Sequence, residues 1–343
     1  MTGTFDRAGL LRRLGAAAVV AGGLAPEAGA ASSFAPFLRP HPNWRFVYVC
    51  HATTNPFFVP ARYGIIDACA LFGVSAAWTG STRSDVGEMV AAMEKAVRGG
   101  ADGIAVSLID PVAFNEPTAA ALARGIPVVS YNADGSGGNP RLAYIGQDLY
   151  QSGLEVGARI AELVDEGDVF LFIATPGQLN IQPRVDGALD AIRDSGKPVH
   201  VHVVGTGTSV RKERQRIEET YLAHKKLRGM FAVDGGSTRG VADVMRKYGL
   251  RRRGVRAGGY DLLRRTLEAI AAGELDFTVD QQPYLQGLLP IEQLFFYRYS
   301  GGLVSPADTN TGLTFVTRRT VGRFLSTTTR YEGSSGEEKY PIS

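Results

Sequence analysis

The segment from Phe46 to Phe58 places polar groups and aromatic rings side by side. Residues 46–50 are apolar β-formers and predict a buried strand. Polar residues 51–55 follow, and Pro56 suits the first turn of a helix that opens with two aromatic residues. In open α/β sheets, ligands bind at the carboxyl ends of strands. Since a sugar has an apolar C–H face and a rim of hydroxyls, this segment could contact both.

Strand and helix patterns alternate from residue 44 onward, and they restart after residue 148. Such repetition predicts parallel sheets built from right-handed crossovers, and two halves predict an α/β fold of two doubly wound parallel-sheet domains. Strands are predicted at 46–50, 74–79, 103–107, 126–131, 168–174, 199–204, 228–233, 255–260, 275–281 and near 312–317. Helices are predicted at about 57–72, 84–98, 111–124, 149–164, 183–195, 211–224, 237–248, 262–272 and 284–298.

The bulk composition agrees with this reading. A chain of 343 residues with 44% apolar residues suits two domains with real cores. The formal net charge of +3 does not point to a nucleic acid or an anionic membrane as a partner. We therefore expect no nucleic-acid partner.

The first 30 residues differ from the rest. Arg7, Arg12 and Arg13 precede a small-residue apolar run at 14–24, and residues 28–30 offer a small-x-small cleavage site. This layout predicts a signal peptide over 1–30, since the run is too short to span a membrane well. We expect a periplasmic protein cleaved near Ala30, exported by the Sec route or by the twin-arginine route that Arg12-Arg13 weakly suggests.

Cys50 and Cys69 are the two cysteines of the chain. Export would permit a disulfide. However, one residue ends the first predicted strand and the other lies in the first predicted helix, so two buried free thiols are favoured over a bridge.

Eight short segments follow one another in order over about 230 residues: 55–58, 101–104 with 110–111, 125–129, 144–148, 184 with 187, 231–234, 259–261 and 278–283. Together they resemble the ribose/galactose-type periplasmic sugar-binding proteins, the substrate-binding subunits of sugar ABC importers. The resemblance runs from about residue 44 to about 318. Three positions depart from the family pattern: His51 replaces a small polar residue, Asn132 a frequent Asp, and Asp234 a frequent Asn.

The resemblance implies a type I periplasmic binding protein-like fold, in which a three-crossing hinge joins the two domains. The crossings are expected near 147–148, 281–282 and 306–311. The first domain would comprise 44–147 and 282–306, and the second 148–281 and 311–325. Residues 326–343 are polar and predict a flexible tail.

The resemblance also implies a ligand site made of planar hydrogen-bonding groups and aromatic faces. Asn55 could equally be a helix cap, and one of the two adjacent phenylalanines is expected in the core because helix neighbours point about 100° apart. A strand-end Asp is often a turn or cap residue. The implied ligand-binding residues are His51, Asn55, Phe57, Phe58, Ser107, Asn132, Gln147, Arg184, Asp234, Tyr260, Asp261 and Gln281.

A neutral sugar or sugar alcohol is the expected ligand, because Asp234 and Asp261 would repel an anion and Arg184 neutralises only one of them. The expected partners are ABC permease subunits, and we expect a monomer, with no cofactor, no metal and no enzymatic activity. His200 and His202 share a strand face but lack evident partner ligands. A LacI-type regulator would need an N-terminal DNA-binding domain, which is not recognisable here, and a role as ligand-sensing partner of a chemoreceptor or sensor kinase stays open.

Overall fold

A computed structural model of the chain describes residues 40–135, 137–303 and 307–326. The predicted signal peptide and the predicted tail beyond residue 326 lie outside the described residues. The span Asn43–Ser343 forms one compact unit. Within the described ranges, none of the helices has the length and apolar character that crossing a membrane requires.

The first sheet consists of six described strands, and all its neighbouring pairs are parallel. These strands are β1 (Arg45–Cys50), β2 (Ser75–Gly80), β3 (Gly103–Val106), β4 (Val128–Tyr131), β5 (Tyr144–Gly146) and β11 (Asp308–Asn310). Their spatial order is β11-β5-β4-β3-β1-β2. The strand order therefore reverses between β1 and β3, and this reversal is where doubly wound sheets bind ligands.

The second sheet repeats this plan. Its strands are β6 (Gly167–Ile173), β7 (Val199–Gly205), β8 (Gly229–Ala232), β9 (Arg256–Tyr260), β10 (Phe277–Asp280) and β12 (Thr314–Thr317). The order is β12-β10-β9-β8-β6-β7, with the edge strand β12 antiparallel to β10. The reversal here falls between β6 and β8.

Helices cover both sheets. They are α1 (Val59–Phe72), α2 (Val86–Arg98), α3 (Asn115–Ala123), α4 (Leu149–Leu163), α5 (Gln182–Asp194), α6 (Val210–Ala223), α7 (Gly235–Tyr248), α8 (Arg264–Ala271), α9 (Pro283–Ser300) and α10 (Val321–Ser326). We call the first sheet with α1, α2, α3 and α9 the first lobe, and the second sheet with α4 to α8 and α10 the second lobe.

The chain passes between the lobes three times: after β5, after β10 and between β11 and β12. The predicted fold class, two doubly wound α/β domains with a three-crossing hinge, is therefore confirmed. The predicted domain boundaries stay a prediction, which the strand membership of the two sheets supports.

The strand β1 shows why the first sheet is buried on both faces. Phe46 and Tyr48 point into a cluster with residues of α1 and α9, whereas Val47 and Val49 point into a cluster with residues of α2 and α3. An unbroken apolar run is the expected sequence for a parallel strand covered on both sides.

Two predicted helices begin later than expected. The helix predicted at 111–124 starts at Asn115, because Asp110 Oδ1 accepts hydrogen bonds from the amides of Val112 and Ala113 and holds a turn there. The helix predicted at 57–72 opens with a 3-10 turn, Pro56–Phe58, before α1 begins at Val59.

The two cysteines are free, as predicted, but Cys69 is half-buried rather than buried. Cys50 is fully buried in the first-lobe core, and burial raises its thiol pKa to about 12. Burial raises the pKa of Cys69 to about 11. Both therefore remain protonated at neutral pH.

Helices α1 and α9 lie in backbone contact through two glycines. A Cβ atom at Gly287 would lie 1.8 Å from the carbonyl oxygen of Ala61, and one at Gly64 would lie 2.2 Å from that of Tyr284. The hydroxyl of Tyr48, in β1, donates a hydrogen bond to the Gly287 carbonyl. Since the clashing atoms belong to the backbone, a side-chain rotation cannot relieve them.

We expect Gly287→Ala to lower the free energy of unfolding by about 3 kcal/mol, because the two helices must separate to admit a methyl group. Urea denaturation measures this. Gly322→Ala is the matched control, because its Cβ would meet nothing within 4 Å. Equal stability of the two variants would contradict the close-contact argument.

Candidate functional site

A cavity of about 250 Å³ lies between the two lobes, at the carboxyl ends of both sheets. The loops after β1 and β4 line it from the first lobe, and the loops after β6, β8 and β9 line it from the second. Nine of the twelve predicted residues line this cavity: His51, Asn55, Phe57, Phe58, Asn132, Arg184, Asp234, Asp261 and Gln281.

The aromatic wall of the cavity comes from the first lobe. Phe58 is 1% exposed and packs edge-on against His51 and Phe57, with ring centroids 5.3 and 4.8 Å away. Phe57 is the more exposed of the pair. Asn55 is the N-cap of the turn, its side chain accepting from the Phe57 amide, and it also lines the cavity. Its two open roles are therefore compatible.

His51 is held neutral in one tautomer. Its Nδ1 lies 2.9 Å from the Ser107 hydroxyl and its Nε2 lies 3.2 Å from Asn180 Nδ2. Because an amide nitrogen only donates, Nε2 is the acceptor and the ring proton is on Nδ1. Burial lowers the pKa of His51 to about 4, so the ring is uncharged at neutral pH.

Arg184 is a buried cation, 2% exposed, whose donors are fixed by the protein. Nη1 donates to the Val233 carbonyl at 2.9 Å, and Nη2 donates to Gln147 Oε1 at 3.0 Å. The guanidinium lies 4.1 Å from the centre of the Tyr260 ring. These contacts hold the group rigidly at the cavity wall.

The two aspartates of the cavity differ in how their carboxyl oxygens are hydrogen-bonded. Asp234 caps α7: Oδ1 accepts from the Ser237 amide and Oδ2 from the Ala174 amide. Asp261 Oδ1 accepts from Gln281 Nε2 at 2.7 Å, and burial raises the pKa of Asp261 to about 6, although Arg184 acts to lower it. Burial also raises the pKa of Asp234. Both carboxyl groups are thus hydrogen-bonded, but their removal from water opposes their negative charge.

A hydrogen-bonded path joins the lobes through the hinge. Asn132 Nδ2 donates to Gln286 Oε1, Gln286 Nε2 donates to Gln281 Oε1, and Gln281 Nε2 donates to Asp261. Thr311, in the third crossing, donates to the Gln281 carbonyl. The side chains at the cavity are therefore tied to the crossings.

Three predicted residues do not line the cavity but lie directly behind residues that do. Ser107 contacts His51, while Gln147 and Tyr260 contact Arg184. All three are at most 1% exposed. Their strand-end positions lie next to the cavity, but the lining side chains cover them, and their role in ligand binding stays a prediction.

Sequence reasoning missed several lining residues: Ser84, Thr175, Asn180, Thr208, Glu213 and Arg239. Thr175 and Asn180 follow the strand β6, so the strand-end rule could have found them. Glu213 has charged neighbours, but it lies four residues before Ile217 and eight before Tyr221, and this helical spacing could have identified it as inward-facing.

Four of these lining side chains have a buried polar atom without a hydrogen-bond partner in the described part of the chain. These atoms are Thr175 Oγ1, Asn180 Oδ1, Arg184 Nε and Glu213 Oε2. Buried polar atoms are nearly always paired in native proteins. These four atoms make the cavity wall able both to donate hydrogen bonds to a polar molecule and to accept them from it.

The segment after β6 also connects the lobes directly. Gln178 Nε2 donates to the Ser84 carbonyl at 3.0 Å, and the Leu179 amide donates to the Ile109 carbonyl at 2.9 Å. Asn180 contacts His51 in the same way. These three contacts belong to a closed arrangement of the cleft.

In the described ranges, no group of three or more His, Cys, Asp or Glu residues is arranged to hold a metal ion. His202, from the strand face considered above, instead pairs with Asp168 at 2.7 Å on the exposed side of β7.

A family model and a related protein both identify the chain as a periplasmic binding protein. A family model described as a periplasmic binding protein domain matches residues 46–297. The xylose/arabinose-binding protein XylF of Sulfolobus acidocaldarius is 48% identical over 309 residues, which cover 86% of this chain and 76% of that protein.

Two solved structures are similar to the fold. An ABC transporter solute-binding protein from Burkholderia graminis, in complex with D-arabinose, has a TM-score of 0.76 at 24% identity and covers 82% of this chain and 97% of that chain. AraP, an arabinose-binding protein from Geobacillus stearothermophilus, has a TM-score of 0.66 at 26% identity and covers 82% and 99%.

We expect Asp261→Asn to stabilise the ligand-free protein. Because the folded-state pKa is raised to about 6, the folded protein binds more protons than the unfolded chain between about pH 4 and pH 6. This group therefore lowers the free energy of unfolding as the pH rises through that range. The amide should add about 1–3 kcal/mol at pH 7.5 and almost nothing below pH 4.

Urea denaturation at both pH values measures this difference, with Asp194→Asn on the exposed end of α5 as the control. A variant that is less stable than wild type at pH 7.5 would show that Arg184 needs the Asp261 charge more than burial opposes it.

Proposed function

This chain belongs to the periplasmic binding protein family, and we propose that it captures a small neutral sugar or sugar alcohol in the interdomain cleft and delivers it to the permease of an ABC importer. A pentose such as xylose or arabinose is the first candidate. The protein acts as a binding protein rather than an enzyme, as a monomer outside the cytoplasmic membrane.

The observation that carries this proposal is the group of four unpartnered polar atoms around a cavity with one aromatic wall. A ligand rich in hydroxyls can both donate to Asn180 Oδ1 and accept from Arg184 Nε. Its C–H surface suits Phe57 and Phe58. A purely apolar ligand would leave those polar atoms unpaired, at a cost of about 1–3 kcal/mol each.

The size and charge of the cavity narrow the ligand class. A volume of about 250 Å³ lies just below the usual range of ligand pockets, about 300–1,000 Å³, and suits a monosaccharide. Asp234 and Asp261 line the cavity together with two arginines, Arg184 and Arg239, and burial raises the pKa of Glu213, which also lines it, to about 8. The cavity therefore has no excess of positive charge at pH 7 to attract a sugar acid or a sugar phosphate.

The relatives support the same class of ligand. XylF is described as a xylose/arabinose-binding protein and AraP as an arabinose-binding protein. Both are binding proteins, so they do not support the alternative of a transcription regulator.

Closure of the lobes would couple binding to delivery. The ligand contacts the aromatic pair and Asn132 of the first lobe together with Arg184 and Asp261 of the second, and these contacts form at once only when the cleft is closed. The ligand therefore shifts the population toward the closed form. The permease would recognise that form.

Thermal unfolding of the mature protein against a panel of ligands tests the ligand class. We expect D-xylose, arabinose or a pentitol to raise the melting temperature, because a ligand that binds only the native state stabilises it. Pentonic acids and pentose phosphates should have little effect. Stabilisation by the acids or phosphates alone would refute the neutral-ligand proposal.

Asp261→Ala should weaken binding of the best sugar by about 2–4 kcal/mol, because it leaves Gln281 and a ligand hydroxyl without their acceptor. Isothermal titration calorimetry measures the affinity, and Asp194→Ala is the control. Small-angle scattering should show compaction of the wild type with saturating sugar. Wild-type affinity in Asp261→Ala, or no compaction, would remove the support for closure on these residues.

A further inference from the structure

Glu213 is a buried carboxyl group on the inner face of α6, which it shares with the buried residues Ile217, Thr220 and Tyr221. It lies in the first turn of α6, and its neighbours Lys212 and Arg214 are exposed. Glu213 itself is 4% exposed and lines the cavity. Its side chain therefore turns away from solvent and toward the ligand space.

Two glycines at the start of α7 make room for carboxyl groups. A Cβ at Gly236 would lie 2.5 Å from both carboxyl oxygens of Glu213, and a Cβ at Gly235 would lie 2.6 Å from Asp261 Oδ2. Any larger residue at either position would displace these side chains. The pair Gly235-Gly236 thus allows two carboxyl groups, from two different elements, to reach the same cavity.

The contacts of Glu213 with the rest of the protein do not favour its burial. Glu213 Oε2 is buried without a hydrogen-bond partner among the described residues. The charged groups that face it from the neighbouring helix α7 are Asp234, which repels a carboxylate, and Arg239, which attracts one. Across the cavity, Arg184 and Asp261 line the same space.

We propose that Glu213 is a ligand-binding residue that accepts a hydrogen bond from a sugar hydroxyl and helps to select the ligand. This inference rests on the proposed function, since it requires a polyhydroxyl ligand in the cavity. The described lining of the second lobe contains no aromatic side chain, and polar side chains outnumber the larger aliphatic ones, Ile181, Val210 and Leu263.

The contact has a consequence for pH. Burial, followed by the nearby Asp234, raises the pKa of Glu213 to about 8. A donated hydrogen bond favours the carboxylate, so the pKa should be lower in the complex than in the ligand-free protein. Binding should then release a proton near pH 7–8, and the affinity should rise as the pH rises through that range.

Calorimetric titration with D-xylose and D-arabinose at pH 7.0, 8.0 and 9.5 tests this. For the wild type we expect affinity to rise by up to about tenfold, one pKa unit being tenfold. Titration in two buffers of different ionisation enthalpy should show proton release at pH 7.5. Glu213→Gln should bind with a pH-independent affinity and without proton release, while Glu219→Gln, on the exposed face of the same helix, should behave as wild type.

The possible results separate a failure of the Glu213 inference from a failure of the proposed function. If a sugar binds with no pH dependence, with affinity falling as pH rises, or with equal proton release in Glu213→Gln, this inference is wrong and the proposed function stands. If neither pentose nor any other sugar of the panel binds, both fall. Should Glu213→Gln fail to fold, the proton count on the wild type decides alone.

Discussion

The site depends on one buried cation. Arg184 is almost completely removed from water, and an uncompensated charge in that position would cost several kcal/mol. The Val233 carbonyl, Gln147 and the face of Tyr260 compensate it together with the nearby carboxyl of Asp261. Strand ends of the second sheet and the first hinge crossing must therefore come together around one guanidinium. The cation fixes the geometry that a ligand would meet.

A chain of hydrogen-bonded side chains in the hinge connects this part of the second lobe to the first lobe. Gln281 and Gln286 connect Asp261 to Asn132, and Thr311 binds the third crossing to the second. A hinge made of hydrogen-bonded amides can keep its partners while backbone angles at a few residues change, which is how hinges absorb domain motion. The hydrogen bonds between Gln178, Leu179 and the first lobe lie far along the chain from these crossings and can form only when the cleft is closed.

Much of the architecture could be predicted from the sequence, because parallel strands buried on both faces leave unbroken apolar runs such as residues 46–50. The lining residues at strand ends could be predicted for the same reason: topology brings strand ends to one edge. Two kinds of feature could not be predicted from the sequence. Whether Ser107 or Tyr260 reaches the cavity depends on which side chain lies in front, and the turn held by Asp110 overrides helix propensity locally. Glu213 shares the inner face of its helix with Ile217, but the space that its carboxyl group occupies depends on Gly236, which is distant in sequence and has no side chain.

The cleft contains buried polar and ionisable groups that lower the stability of the ligand-free protein. Asp261 and Glu213 have raised pKa values because burial opposes their charge, and Arg184 Nε and Asn180 Oδ1 are buried without partners in the described chain. Burial without a partner makes each of these groups unfavourable in the ligand-free closed state, and under the proposed function each would gain a partner from a ligand hydroxyl. The free energy that a ligand releases on satisfying them is therefore larger in the closed form than in an open, hydrated one. That difference is what allows a small neutral molecule to bias the position of two whole lobes.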